Sequence, residues 1–199
     1  DEATPYRYDD DMLLRFVNQT LKRMAMLRPD IFATVAELVV TPNSAIQSAP
    51  SDSSRLMEVF SIKNGNAIIE ADKETLDRSY PQWVTTTGTP KNFLRHPRNA
   101  NKFFLYPVPD SAITLNIEYA KIPDDYAISG DMSVEVKDSY FPTIVDGVVF
   151  LSQSIDNEHI NSGRAKLFQD SFVQSLGVEL QSRTITDIEG SGLDMQQVM

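Results

Sequence analysis

The chain has 199 residues, 41% of them hydrophobic, with 18 Lys and Arg against 28 Asp and Glu and a formal charge of −10. That length suits one ordinary domain with a buried core, and no apolar run is long enough to span a bilayer. No basic, apolar, small-residue opening marks a secretory signal. Cysteine is absent, which excludes disulfide scaffolds and thiolate metal sites. Such acidity also disfavours a grip on nucleic acid, where Lys and Arg must neutralise phosphates.

Residues 1–8, with Pro5 and two tyrosines, read as an extended lead-in. Asp9, Asp10 and Asp11 suit a helix start, where carboxylates cap free N–H groups and meet the positive end of the dipole. Leu13, Val17, Leu21 and Met24 recur at helical spacing, with Leu14 and Ala25 widening the stripe. Pro29 stops the helix near Arg28. Alternation from Phe32 to Val40 predicts a strand. Residues 42–54, rich in Ser, Asn and Ala with two prolines, predict a loop. A second strand over 55–62 runs into the hairpin signal Asn64, Gly65.

Asp72 is the expected cap of a short helix reaching Tyr80, ended by Pro81 and followed by the single tryptophan, Trp83. Strands at 92–95 and 102–106 flank a turn at 96–101. Ile113, Leu115, Ile117 and Tyr119 alternate with Thr114, Asn116 and Glu118, the period of a half-buried antiparallel strand. Met132, Val134 and Val136 predict a short last strand. Helical period then returns, with Pro142 in the first turn and Ile144, Val148, Leu151 and Ile155 on one face. A final helix presents Ala165, Phe168, Phe172 and Leu176, and Gly177 is its expected C-cap.

Strands segregated from helices predict an α+β fold. One domain over 1–177 combines a bundle of the N-terminal helix (9–28) and two C-terminal helices (140–156 and 161–176) with an antiparallel β-sheet subdomain inserted between them (31–137). Residues 178–199 read as an extended tail.

No catalytic, cofactor-binding or metal-binding residue is expected. His159 beside Asp156 and Glu158 is better read as an exposed helix end than as a metal site. Residues 9–11 are better read as a helix start than as a Mg²⁺ site. There is no phosphate-cradling Gly-rich loop and no nucleophile elbow. Residues 91–102 bring Arg95, His96, Arg98 and Lys102 near Phe93, Phe103 and Phe104. Basic patches with aromatics can bind single strands, but on a hairpin the pattern reads as a core face with a charged rim. Arg95, Arg98 and Lys102 are therefore expected in salt bridges to an acidic neighbouring subunit.

The order of these landmarks resembles the head-to-tail adaptor proteins of short-tailed phages. The aromatic lead-in and acidic start at residues 8–11 precede an amphipathic helix ending in Leu27, Arg28, Pro29 and Asp30, and then a Val-rich strand. Arg55 and Leu56 open a strand around Val59, and a short acidic helix with Asp72 and Leu76 leads to Pro81, Gln82 and Trp83. Phe104, Leu105, Tyr106, Pro107, Val108 and Pro109 match the family's aromatic-proline strand end, and Glu118, Tyr119 and Pro123 its next strand and exit turn. Two helices near the C-terminus complete a likeness that runs from about Tyr8 to Gly177. The family usually carries one more helix, so sequence ahead of Asp1 is expected to supply it.

The resemblance implies a structural, non-enzymatic virion protein without cofactor, in the neck of the particle and in host cytoplasm during assembly. It implies a twelvefold ring below the portal protein and above a tail nozzle, with DNA passing through the lumen without sequence-specific binding. An acidic inner wall suits DNA that must slide. Ile185, Ile188, Leu193, Met195, Val198 and Met199 have no local core to join, and are expected to dock on the portal or a neighbouring subunit. The runner-up is a monomeric acidic module that inhibits a basic protein. A metal-dependent hydrolase using residues 9–11 or His159 is the third reading.

Overall fold

The computed structural model describes residues 8–127, 136–155 and 162–191. In chain order its elements are α1 (Asp10–Leu27), β1 (Ala33–Val39), β2 (Ile46–Ser48), β3 (Ser53–Ile62), β4 (Ile69–Glu70), α2 (Lys73–Ser79), β5 (Asn92–Arg95), β6 (Lys102–Tyr106), β7 (Thr114–Lys121), α3 (Phe141–Ile155) and α4 (Ser162–Ser191). The fold is mixed α+β. The chain forms two compact units, one from Asp1–Leu27 with Asp124–Met199 and the other from Arg28–Pro123.

The Arg28–Pro123 unit holds two sheets. The first has the order β1-β7-β3, antiparallel throughout, and the second the order β2-β6-β5-β4, in which β4 and β5 run parallel. The expected single antiparallel layer is thus corrected to two sheets with one parallel pair. The reason lies in β5 and β6, whose central residues are buried whichever face they point to. One set of side chains, Phe93, Phe103 and Leu105, packs in a core with Leu56 and Val59 of β3 and Leu115, Ile117 and Tyr119 of β7. The other set, Leu94 and Phe104, packs with Trp83, against which Leu76 of α2 also lies. Each large apolar side chain so buried contributes about 1.5–3 kcal/mol.

Local chemistry sets the turns. Asn64 takes the left-handed conformation, φ 56°, while Gly65 stays outside it and donates its N–H to the Ile62 carbonyl at 2.9 Å. Asp72 caps α2, accepting the Thr75 N–H at 2.8 Å. Inside the stretch expected to be all loop, β2 pairs Ile46, Gln47 and Ser48 with Phe104, Phe103 and Lys102. Three residues give too short a pattern to announce a strand. Gln47 is buried there because its amide bonds the Thr41 N–H, the Thr41 carbonyl and the Ser44 carbonyl at 2.8, 2.9 and 2.7 Å.

In the other unit α3 packs against both α1 and α4. Gly147 on α3 lies against both neighbouring helices. A Cβ there would collide with the Thr20 side chain of α1 and lie 3.1 Å from Cε2 of Phe172 on α4. Arg23 of α1 lies over the rings of Phe150 and Phe172, at 5.1 and 5.7 Å. Asn18 clasps the returning chain, donating Nδ2 to the Tyr126 carbonyl and accepting the Tyr126 N–H, both at 3.0 Å.

The third helix of this unit departs from expectation. It runs through Gly177, the expected cap, to Ser191, so the extended tail expected from residue 178 is helical over its first part. Gly177 does not adopt a left-handed φ. Glycine inside a helix costs only about 1 kcal/mol, and no proline follows to stop the helix. The expected strand at 132–136 and His159 fall on or beside residues 128–135 and 156–161, which lie outside the described residues.

Gly147→Ala is expected to destabilise the helical unit by about 1–3 kcal/mol through overpacking, despite alanine's better helix propensity. Thr20→Ala in the same chain should recover most of the loss, since it removes the two nearest of the three atoms in the way. Buried Thr20 Oγ1 also has no hydrogen-bond partner among the described residues. Denaturant titrations of the two single variants and the double variant measure this coupling.

Candidate functional site

The basic segment foreseen in the sequence forms the turn between β5 and β6. Its ring and amide side chains lock it. His96 Nδ1 accepts the N–H groups of Arg98 and Asn99 at 3.2 and 3.1 Å. The imidazole stacks on Phe104, 5.5 Å between centroids with 12° between planes. Asn101 binds the start of β3, donating Nδ2 to the Ser53 carbonyl at 2.7 Å and accepting Ser53 Oγ at 3.2 Å. Leu56 then donates its N–H to the Ala100 carbonyl at 2.9 Å, so the turn is held along the edge of β3.

Between turn and strand lies a notch of about 550 Å³, whose walls carry Arg55, Arg95, Arg98 and Lys102. The three basic residues singled out in the sequence therefore come together, but they do different things. Arg95 is a strut. Its Nε and one terminal nitrogen bind both carboxylate oxygens of Glu70, at 2.7 and 3.1 Å. Its remaining bonds go to the Leu56 and Met57 carbonyls, at 3.1 and 2.6 Å. Arg98 and Lys102 are exposed and have no ion pair among the described residues. Arg55, on the exposed side of β3, shares that state. Arg55, which opens β3, joins this site only because the turn lies beside it, and nothing in one strand's pattern says which turn that will be.

Beyond Arg95 and Pro97 is a second hollow, of about 600 Å³, walled by acidic residues including Glu70, Asp72, Glu74 and Asp77. Hydrogen bonds from the Thr75 hydroxyl and N–H hold the Asp72 carboxyl below its usual range. A bond from Lys73, then one from the Trp83 indole at 2.7 Å, does the same for Asp77. On the first sheet, burial and then the nearby Asp52 carboxylate raise the Tyr119 phenol. None of these groups pairs a nucleophile with a base.

Residues 9–11 behave as a helix start. Asp9 Oδ1 accepts the Met12 N–H at 2.8 Å, and Asp10 and Asp11 are exposed. Among the described residues no group of three or more His, Asp or Glu is placed to hold a metal ion. None of the helices there is long and apolar enough to cross a membrane. Ile185 and Ile188 fall within α4, while Leu193, Met195, Val198 and Met199 lie outside the described residues.

The described residues thus form a two-sheet unit and a helical unit, and the hollows on the first carry charged residues of both signs. Residues 1–191 match the family described as SU10 adaptor protein, and the chain belongs to that family of phage head-to-tail adaptors. Among curated proteins nothing matches it.

Two outcomes test the geometry. Arg95→Ala should lower stability by about 1–2 kcal/mol, a value reduced for its half-exposed side chain, while Arg98→Gln should change it by less than about 0.5 kcal/mol. Because the Asp72 and Asp77 carboxyls are depressed in the fold, their stabilising effect is complete above the unfolded value of 3.8 and fades as pH falls through the lower folded values. Emission of the single tryptophan, followed during acidification, should report loosening of the Trp83 cluster, and Asp77→Asn should show that change already at neutral pH.

Proposed function

We propose that this adaptor is one subunit of a ring between portal and tail nozzle, through which DNA passes without being gripped. The observation that carries the reading is the family match, which spans both units rather than a fragment of either. The charge of −10 supports a lumen that lets DNA slide, since like charge opposes adhesion. A closed ring needs two different complementary faces on each subunit, and a chain with separate helical and β units offers several. Load from packaged DNA favours contacts spread over many subunits.

The C-terminal segment carries the second part of the proposal. Ile185, Ile188, Leu193, Met195, Val198 and Met199 dock on the portal or on an adjacent adaptor, with ordering on contact allowing a short segment to cover a wide area. Its beginning is already helical, up to Ser191.

An image of the particle neck tests the first part. Density for this chain between portal and tail is expected, and its absence there would sink the adaptor ring. Deleting residues 184–199 tests the second. The truncated chain should keep its unfolding midpoint but no longer co-sediment with portal particles; unchanged co-sedimentation excludes the segment as the docking element.

A further inference from the structure

The notch beside β3 concentrates positive charge on a chain that is otherwise strongly acidic. Arg55 of β3 meets Arg98 and Lys102 of the β5–β6 hairpin, and the three line one concavity of about 550 Å³. None has an ion pair among the described residues, whereas Lys22, Lys63, Lys73, Arg78 and Arg95 are all paired with carboxylates of their own chain. Arg95, on the wall, is neutralised by Glu70 and fixes the notch's shape. The turn carrying Arg98 is held by His96 and Asn101, so these cations are presented from a backbone already fixed, which lowers the cost of ordering on contact.

We infer that this notch receives the acidic residues 9–11 of a second copy of the chain. The three cations would meet the exposed carboxylates of Asp10 and Asp11, while Asp9 holds the helix start. Asp10 and Asp11 are exposed at the start of α1 and have no ion pair among the described residues, so they are available to a partner. Nucleic acid fits the notch less well. The net charge of −10 repels it, and the imidazole of His96 is stacked on Phe104 rather than open to a base. The contact joins two different surfaces of the same chain, which is the heterologous kind that closes rings. It deepens the ring proposal above and rests on it.

Charge exchange in the full-length chain tests it. Arg98→Glu with Lys102→Glu, and separately Asp10→Lys with Asp11→Lys, should each weaken self-association in low salt by about tenfold or more, read by sedimentation. An equal mixture of the two double variants should associate again, because each reversed surface then meets a reversed partner. As the chain has no cysteine, Asp10→Cys and Lys102→Cys chains should form a disulfide with each other and with no background. Association indifferent to both reversals overturns the contact, as does loss that mixing fails to restore. A chain that stays monomeric at every concentration and forms no cross-link also overturns it. So does binding of labelled duplex DNA that the wild type shows and the Arg98→Glu, Lys102→Glu variant loses. These failures are distinct from failure of the adaptor ring, which would show as absence of the chain from the neck whatever the reversals do.

Discussion

Strand β7 is the constraint on which the β unit depends. Both of its edges are occupied, by β1 along seven consecutive residues and by β3 along a ladder interrupted by bulges. Its inward residues Leu115, Ile117 and Tyr119 are the floor on which Phe93, Phe103 and Leu105 of the other sheet settle. Register here is unforgiving, because a shift of one residue would turn that whole set to solvent. Once β7 fixes β3, the Ser53 and Leu56 backbone groups fix the turn at Ala100 and Asn101, and with it the position of every cation around the notch.

The two sheets explain why the aromatic hairpin carries so many large residues. Phe103 and Phe104 are neighbours in sequence, so they point to opposite faces of β6. One enters the core between the sheets, and the other meets Trp83 edge-on at 5.6 Å. His96 covers the same Phe104 ring. The aromatics of the basic segment are thus spent on packing, which leaves its charges as the part that faces outward.

Where a pattern was long, the sequence was legible. The α1 stripe and Pro29 set that helix to within a residue at each end, and the strands at 92–95 and 102–106 match throughout. Asp72 was readable as a cap because its position before a short acidic helix has one obvious electrostatic use. What stayed hidden depended on neighbours distant in the chain. Two-residue β4 exists only because β5 lies parallel beside it. The continuation of α4 past Gly177 turns on a small backbone penalty weighed against no opposing signal. At the candidate site, charge type was visible but allegiance was not, since the carbonyls of Leu56 and Met57 that claim Arg95 lie nearly forty residues away.

The β unit is one uninterrupted stretch, Arg28–Pro123, whereas the helical unit is assembled from the two ends of the chain. During synthesis α1 is therefore made before the β unit and must wait until α3 and α4 have emerged from the ribosome. The strands in between can complete their own core during that interval. Chaperone demand should thus fall on α1 rather than on the aromatic-rich sheets, an inversion of the usual hazard posed by β structure.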